Sequence, residues 1–476
     1  MIHQFKNNGY NIVLDVNSGA IHVVDDLTYD IIGMYEEEDQ DRIRERMAEK
    51  YPKVSEADIE EVFAEIKTLI DDQSLFTPDH YETYMDDVLK RRPTVVKALC
   101  LNVAHDCNLA CKYCFADEGT YCGGPRELMS FETGKNAFDF LIANSGNRRN
   151  LEVDFFGGEP LMNWEVVKKL VAYGRQEEKL YDKKFRFTLT TNGVLLNDEI
   201  QDFLNREMSN VVLSIDGRKK IHNQMRPFRG GQDSYDRIVP KFQRLAESRG
   251  QERYYARGTF TRNNLDFSQD VLHIADLGFK QISVEPVVAQ PTDDYALREE
   301  DLPKLFAEYD RLAAEMVRRM GKDEDFNFFH FMIDLEGGPC VAKRLAGCGS
   351  GTEYVCITPN GDIYPCHQFA GNRDFVMGNV NDGSGLVRTD IRDEFKLCNV
   401  YAKDKCRDCF AKFYCSGGCA ANAYNFKGKI NETYDLGCAL QQKRIECSIM
   451  IKAAQADMEE NYEESVRLPD APRAVC

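Results

Sequence analysis

No stretch of the sequence comes near the roughly 18 consecutive apolar residues that a membrane-spanning helix requires, so a membrane protein is not expected. The start, MIHQFKNNGY, lacks a charged segment followed by an apolar one, and a secretory signal is not expected either. Positive charge is in deficit: 60 Lys and Arg stand against 79 Asp and Glu, a net charge of −19. Such a balance repels nucleic acid and gives no general attraction to membranes. Internal repeats and low-complexity segments are absent from the sequence. Cysteine, in contrast, is abundant, with 17 in the chain. In a protein expected to lie in the cytoplasm with reduced thiols, clustered cysteines read as metal ligands before disulfides. The 476 residues are too many for one ordinary core, and roughly two to four domains are expected.

Residues Tyr10 to Val24 (YNIVLDVNSGAIHVV) alternate β-branched and polar residues around Asn-Ser-Gly, the pattern of a hairpin. Helical patterns begin near Asp26, Gln40 and Ser55, the last with Ser55 as candidate N-cap. A hairpin with three helices makes a winged-helix-like module over residues 1–85, and the polar stretch between Thr77 and Pro93 reads as a boundary. Next come six β-rich runs with helical patterns between them: VVKALCLNV, LEVDFF, FRFTLT, VVLSID, RYYARGTF and QISVEPVV. Six β-α units in series predict an α/β core, a partial (β/α)6 barrel over 94–310, with functional loops at the carboxyl ends of the strands. A connecting helical segment is expected at 311–339 and a C-terminal tail at 448–476. The cysteine- and glycine-rich region between them, 340–447, has few periodic runs, so metal is expected to organise its core.

Directly after the first strand, AHDCNLACKYCFADEG carries Cys107, Cys111 and Cys114 in a C-x3-C-x2-C spacing followed by Phe115. Three ligands are one short of a tetrahedral zinc site or a fully protein-held cubane cluster. A zinc knuckle borrowing His105 is one solution. At the end of the second strand stands Gly157-Gly158-Glu159-Pro160, at the end of the third TLTTNG with Thr190 and Asn192, and at the end of the fourth SIDG with Ser214 and Asp216. Glycines admit close backbone approach and a carboxylate accepts from an ammonium, although Asn-Gly and Asp-Gly are also ordinary turn formers. In this order the motifs resemble the radical S-adenosylmethionine (SAM) superfamily. That resemblance implies a [4Fe-4S] cluster on Cys107, Cys111 and Cys114 whose fourth iron takes SAM, with the GGEP residues at the SAM amino group. It also implies Thr190, Asn192, Ser214, Asp216 and Phe115 around the cofactor. Arg226 reads as a solvated surface arginine, with the SAM carboxylate as the alternative partner.

Toward the C-terminus, Cys348 precedes Gly361 and Cys366 (GDIYPC), and KCRDCFAKFYCSGGCA holds Cys406, Cys409, Cys415 and Cys419, with Cys438 beyond. These spacings resemble the SPASM extension of radical SAM enzymes, which carries two further [4Fe-4S] clusters, making three in all. By that resemblance Cys406, Cys409, Cys415 and Cys438 hold an outer cluster and Cys348, Cys366 and Cys419 an inner one. The inner set is one ligand short, to be completed by Cys340 or Cys356 or left open. Cys100, Cys122, Cys398, Cys447 and Cys476 have no motif, and buried free thiols are the plain reading for most of them.

The N-terminal module resembles the recognition element of enzymes that modify ribosomally made peptides, which binds a leader peptide as an added strand. Sulfatase-maturing SPASM enzymes place an Asp after the Gly-x4-Cys cysteine, where this chain has His367; His367 is the candidate catalytic group. The whole chain is similar to maturases of SCIFF (six-cysteines-in-forty-five-residues) peptides. The resemblance implies a sactionine enzyme that bonds a cysteine sulfur to the α-carbon of an acceptor residue and needs a low-potential electron donor. Another SPASM peptide chemistry, dehydrogenation or carbon–carbon crosslinking, is the alternative enzyme, and a zinc-stabilised peptide-binding scaffold is the non-enzymatic one.

Overall fold

The computed structural model describes residues 1–335 and 341–466. Strands β1 (Ile2–Asn7), β2 (Tyr10–Asp15) and β3 (Ile21–Val23) form an antiparallel meander. The second hairpin is the expected one. The first turns on Asn8 and Gly9, both at positive φ, as a two-residue hairpin turn demands, and that Asn-Gly pair was a readable signal for β1. Helices α1 (Asp26–Met34), α2 (Gln40–Lys50) and α3 (Glu56–Asp71) start where the caps predict: Asp25, Asp39 and Ser55 each accept a backbone N–H three residues on. Strand β2 buries both of its faces. Val13 joins the helices' own core with Ile31, Ile59 and Phe63, whereas Ile12 and Leu14 join the main core of the molecule. The stretch expected to separate domains contains α4 (Glu82–Arg91), whose Met85 and Leu89 pack with Val400, Tyr401 and Cys406 of the C-terminal region.

The barrel follows as β4 (Ala98–His105), β5 (Glu127–Leu128), α5 (Phe131–Asn144), β6 (Asn150–Gly157), α6 (Trp164–Tyr181), β7 (Lys184–Thr191), α7 (Asp198–Glu207), β8 (Met208–Ser214), α8 (Lys219–Met225), α9 (Tyr235–Ser248), β9 (Tyr254–Phe260), α10 (Ser268–Asp276), β10 (Gln281–Pro286) and α11 (Leu302–Arg319). The strands β4, β6, β7, β8, β9 and β10 lie parallel in that order, matching the six expected runs, and short β11 (Asn327–Phe328) extends the edge beside β10. Alternation along β6 and β7 sends Val153, Phe155, Phe187 and Leu189 into the main core and leaves Asp154, Phe156, Thr188 and Thr190 half-buried on the other face.

The C-terminal region is α12 (Val341–Ala346), β12 (Tyr354–Ile357), β13 (Asp362–Tyr364), β14 (Gly378–Asn379), β15 (Gly385–Leu386), α13 (Thr389–Leu397), α14 (Asp404–Arg407), α15 (Lys412–Cys415), α16 (Ala420–Lys427) and α17 (Asp435–Val466). Here the structure departs from expectation. β12 pairs in parallel with β4, so β12 to β15 continue the barrel sheet, and Val355, Ile357, Ile363, Phe369 and Phe395 belong to the main core. Ordinary apolar packing therefore organises much of a region expected to depend on metal. The tail expected from residue 448 is helix as far as Val466, and it buries Ile449, Met450 and Ala454.

Candidate functional site: a cysteine loop over the barrel

The loop after β4 is pinned through its backbone. Ala110 N donates to Pro227 O at 2.9 Å, Lys112 N to Met225 O at 2.9 Å, Gly158 N to Ala104 O at 2.7 Å and Glu159 N to Asp106 O at 2.9 Å. The two glycines make the last contacts possible: a Cβ on Gly157 would lie 2.3 Å from Ala104 O, and one on Gly158 2.2 Å from Asp106 O. Close approach is the expected role, but it is to the chain's own cysteine loop. Cys107 is buried and its sulfur accepts from Leu109 N at 3.5 Å. Burial, with Glu159 and Cys114 adding repulsion, pushes the Cys107 thiol up to about 12; burial, Cys107 and Cys114 do the same at Cys111. Thiols so placed lose their protons when a cationic metal centre takes them. Among the described residues no three His, Cys, Asp or Glu side chains converge on one ion. A cubane takes each thiolate on a different iron, so its ligands surround a volume and not a point.

Glu159 is buried and accepts from Leu161 N (3.0 Å), Thr191 Oγ1 (2.9 Å) and Asn192 N (2.8 Å); desolvation pushes its carboxyl up to about 7 against those three bonds. Pro160 opens the single turn that Glu159 caps. The Asn192 side chain donates to Asn108 Oδ1 at 2.7 Å. Asp216 is fully buried and accepts from Tyr113 Oη at 2.7 and 2.8 Å and from Thr259 N at 3.2 Å, so it braces the cysteine loop. Arg226 departs from the surface reading. Its side chain is 12% exposed, with Nη1 donating to Tyr113 Oη at 2.7 Å and standing 3.7 Å from Asp216. Two buried donors here, Asn108 Nδ2 and Arg226 Nε, have no hydrogen-bond partner. Buried donors are rarely left so, and the pair fits a bound group rich in acceptors, as SAM on a sulfide cluster is. Thr190 and Ser214 are half-buried at the strand ends, and Phe115 is exposed.

The ten motif cysteines fall into three groups that interact among themselves. Cys107 and Cys111 feel Cys114; Cys366 feels Cys419 and Cys348; Cys406 feels Cys415, Cys438 and Cys409. Cys340 and Cys476 lie outside the described residues. Cys356 is buried opposite Cys100 in the β12–β4 register, and it has Cys366 as a more distant neighbour. Cys398 and Cys447 donate to Ile430 O (3.3 Å) and Asp310 (3.5 Å) as plain thiols, while Cys122 is exposed. His367 meets Tyr354 Oη at 3.0 Å through Nδ1, and its ring lies 5.5 Å from Phe115 and 5.1 Å from Phe156. Asp154, unnoticed in sequence, stands nearby, its carboxyl pushed up to about 7 by burial and by Cys100. The only sequence signal for it was an acid inside the apolar run LEVDFF.

The Radical SAM superfamily profile matches residues 101–254, and the SPASM iron–sulfur cluster-binding profile matches 348–410. The chain carries a radical SAM domain and a SPASM domain. These two domains support SAM and iron–sulfur clusters as cofactors and an enzymatic activity. It is 24% identical over 351 residues to the radical SAM cyclopropyl synthase TigE of Paramaledivibacter caminithermalis, covering 68% of each chain. Its fold is similar to anSMEcpe with bound AdoMet (TM-score 0.64, 20% identity, 77% of this chain and 96% of that one). A second match, Streptococcus suis SuiB bound to precursor peptide SuiA, has TM-score 0.52 and 16% identity over 92% of this chain and 98% of that one. Among the described residues no helix is long and apolar enough to cross a membrane.

Proposed function

We propose that this radical SAM and SPASM protein is a peptide maturase that bonds a cysteine sulfur to the α-carbon of an acceptor residue in a ribosomally made peptide of the SCIFF type. The observation that carries the reading is the meeting of Phe115 and His367, whose rings are 5.5 Å apart. Phe115 follows the first cysteine group and His367 follows Cys366, so both groups adjoin one space at the carboxyl ends of the strands. A reaction that must activate a carbon and hold a sulfur together needs that arrangement.

SAM and three [4Fe-4S] clusters, when bound, supply hydrogen-atom abstraction from the α-carbon, a seat for the peptide sulfur and an outlet for the surplus electron. Cys107, Cys111 and Cys114 hold the first cluster, Cys348, Cys366 and Cys419 the inner one, and Cys406, Cys409, Cys415 and Cys438 the outer one. Glu159 receives the SAM ammonium with its remaining lone pair, and Asn108 Nδ2 and Arg226 Nε donate to the bound group. Thr190, Asn192 and Ser214 line the cofactor, with Gly157, Gly158 and Pro160 setting the loop that carries Glu159. Asp216 acts through Tyr113. His367, held at Nδ1 by Tyr354, is placed to take the proton of the peptide thiol. Residues 1–85 bind the leader along β3, an edge strand of its sheet. A low-potential electron donor completes the system, in the cytoplasm and without nucleic acid or membrane. That SuiB is solved with a precursor peptide supports a peptide substrate.

Co-expression with a cysteine-rich peptide encoded nearby, followed by thiol alkylation and tandem mass spectrometry, tests the reading. A thioether removes two hydrogens and blocks alkylation of one cysteine per link. A product with two hydrogens lost and every thiol still reactive would favour dehydrogenation, as of a serine in serine-type sulfatase maturation, or a carbon–carbon link. Iron and sulfide of about twelve each per chain after anaerobic purification support three cubanes, and stoichiometric zinc would sink the enzyme reading.

A further inference from the structure

Two lysines of the C-terminal region are equally buried, at 3% exposure each, but they are partnered differently. Lys412 meets the carboxylate of Asp79 at 2.7 Å. Lys403, the residue before α14, donates to Gly417 O at 2.7 Å and pairs with no carboxylate among the described residues. An ammonium withdrawn from water without a counter-charge is costly, and lysines are almost never fully buried unless paired. One carbonyl does little to answer that charge. The buried guanidinium of Arg249, by comparison, is given the backbone carbonyls of Leu204, Met208 and Arg253.

The place of Lys403 points to the missing anion. Gly417 lies in the turn Cys415-Ser416-Gly417-Gly418-Cys419, whose first cysteine belongs to the outer group and whose last belongs to the inner one. The lysine stem runs along that turn: a Cβ on Gly417 would stand 3.8 Å from its Cδ and Cε. Cys406 N donates to Lys403 O at 2.9 Å, so the same residue also holds the short helix that carries the outer group's first cysteine. Gly417, Cys415, Cys419 and Cys438 line one cavity of about 390 Å³, the space that clusters on these cysteines would fill, and the ammonium is fastened to its wall at Gly417. Burial raises the thiols of Cys406, Cys415, Cys419 and Cys438, and the charge of Lys403 works against it at all four.

We propose that Lys403 is the counter-ion shared by the inner and outer clusters, raising the potential at which each takes up an electron. The proposal rests on the reading of the ten motif cysteines as ligands of three clusters. A cubane held by thiolates is a net anion and becomes more so on taking an electron, so a fixed cation beside it favours the reduced form. Bond formation between a carbon radical and a thiolate sulfur leaves one electron over, and Lys403 stabilises that electron at either auxiliary group.

The test is a potentiometric titration with dithionite of the anaerobically reconstituted full-length enzyme, followed by electron paramagnetic resonance. Lys403→Gln keeps a hydrogen-bond donor without the charge, and Lys403→Arg keeps the charge. In Lys403→Gln the reduction equilibrium of the auxiliary clusters is expected to fall about tenfold, ~59 mV for one electron, the order a unit charge exerts at ~10 Å inside a protein. The cluster on Cys107, Cys111 and Cys114 is expected to keep its wild-type midpoint in the same sample, and Lys403→Arg to stay close to wild type throughout. Unchanged auxiliary midpoints in Lys403→Gln, or an equal fall in both variants, overturn the proposal. If Lys403→Gln holds less iron than wild type, full iron in Lys403→Arg supports the role of the charge, and an equal loss in both overturns it, because packing alone then decides. A wild-type chain that takes zinc in place of iron and sulfide removes the three-cluster reading itself and the proposal with it.

Discussion

The three cysteines after β4 and the seven of the C-terminal region stand in differently built places. The first group rides a loop held by four strand ends and by backbone bonds to Met225 and Pro227, with Tyr113 tied to buried Asp216 between two of the cysteines. Within the second, Cys406 and Cys415 lie on helices of one turn, α14 and α15, and Cys348 and Cys419 are exposed. A loop pinned on every side is organised before any metal arrives. Thiols on short turns depend on the cluster for the rest of their order. Under the function proposed above the difference would suit two tasks: the first centre would present one fixed face to SAM, and the inner of the other two would admit a substrate sulfur.

The largest expected effect comes from Cys111→Ala. It should remove about four irons per chain and all peptide modification, yet leave the far-ultraviolet circular dichroism and unfolding temperature close to wild type, because the loop's backbone bonds remain. A collapse of the fold would show that metal, not protein, organises this loop. Replacing Cys366 and Cys419 together by Ala should abolish the thioether in the mass spectrum while the electron paramagnetic resonance signal of the SAM cluster persists. Product at the normal rate would separate the inner group from the reaction. On stability, Gly158→Ala must push a Cβ against Asp106 O and should cost about 3 kcal/mol in denaturant unfolding. Gly418→Ala, at φ +72° but with open space around its Cβ, should cost about 1 kcal/mol. Equal costs would erase the contrast between the two regions.

The smallest effect lies at the seam between them. Glu353, just before β12, pairs with Arg92 and Lys97. Burial raises its pKa, but those cations outweigh it and hold the carboxyl below its ordinary 4.5. A depressed folded-state pKa stabilises the protein above the ordinary value and loses that contribution as pH falls through the folded one. Wild type should therefore lose stability relative to Glu353→Gln as pH drops below 4.5, by urea unfolding. Parallel pH profiles would remove Glu353 from the seam.

Much of this was legible in the sequence. The six parallel strands announced themselves by β-branched runs between helical patterns, Ser55 by its place before a helical pattern, and Cys107, Cys111 and Cys114 by spacing, since they are near neighbours along the chain; the C-terminal sets, spread from Cys348 to Cys438, were grouped only through the resemblance. The arginine at 226 was not legible: whether a guanidinium is solvated or buried beside Asp216 depends on where α8 ends against a loop 113 residues earlier. Nor was the true neighbour of Gly157 and Gly158, which is a backbone brought in by parallel pairing. Asp154 went unnoticed in the sequence, because only alternation in the paired strand turns it toward Cys100 and His367.

By itself the sequence determined the chemistry available: thiols in groups of three and four, glycines at strand ends, a carboxylate in GGEP, and strands whose apolar faces demanded helices. Only the tertiary structure decided which groups face one another. Register across β12, β4 and β6 and the docking of α17 bring together residues hundreds of positions apart. Contacts of that kind follow from how packed layers fit, and local propensity carries no record of them.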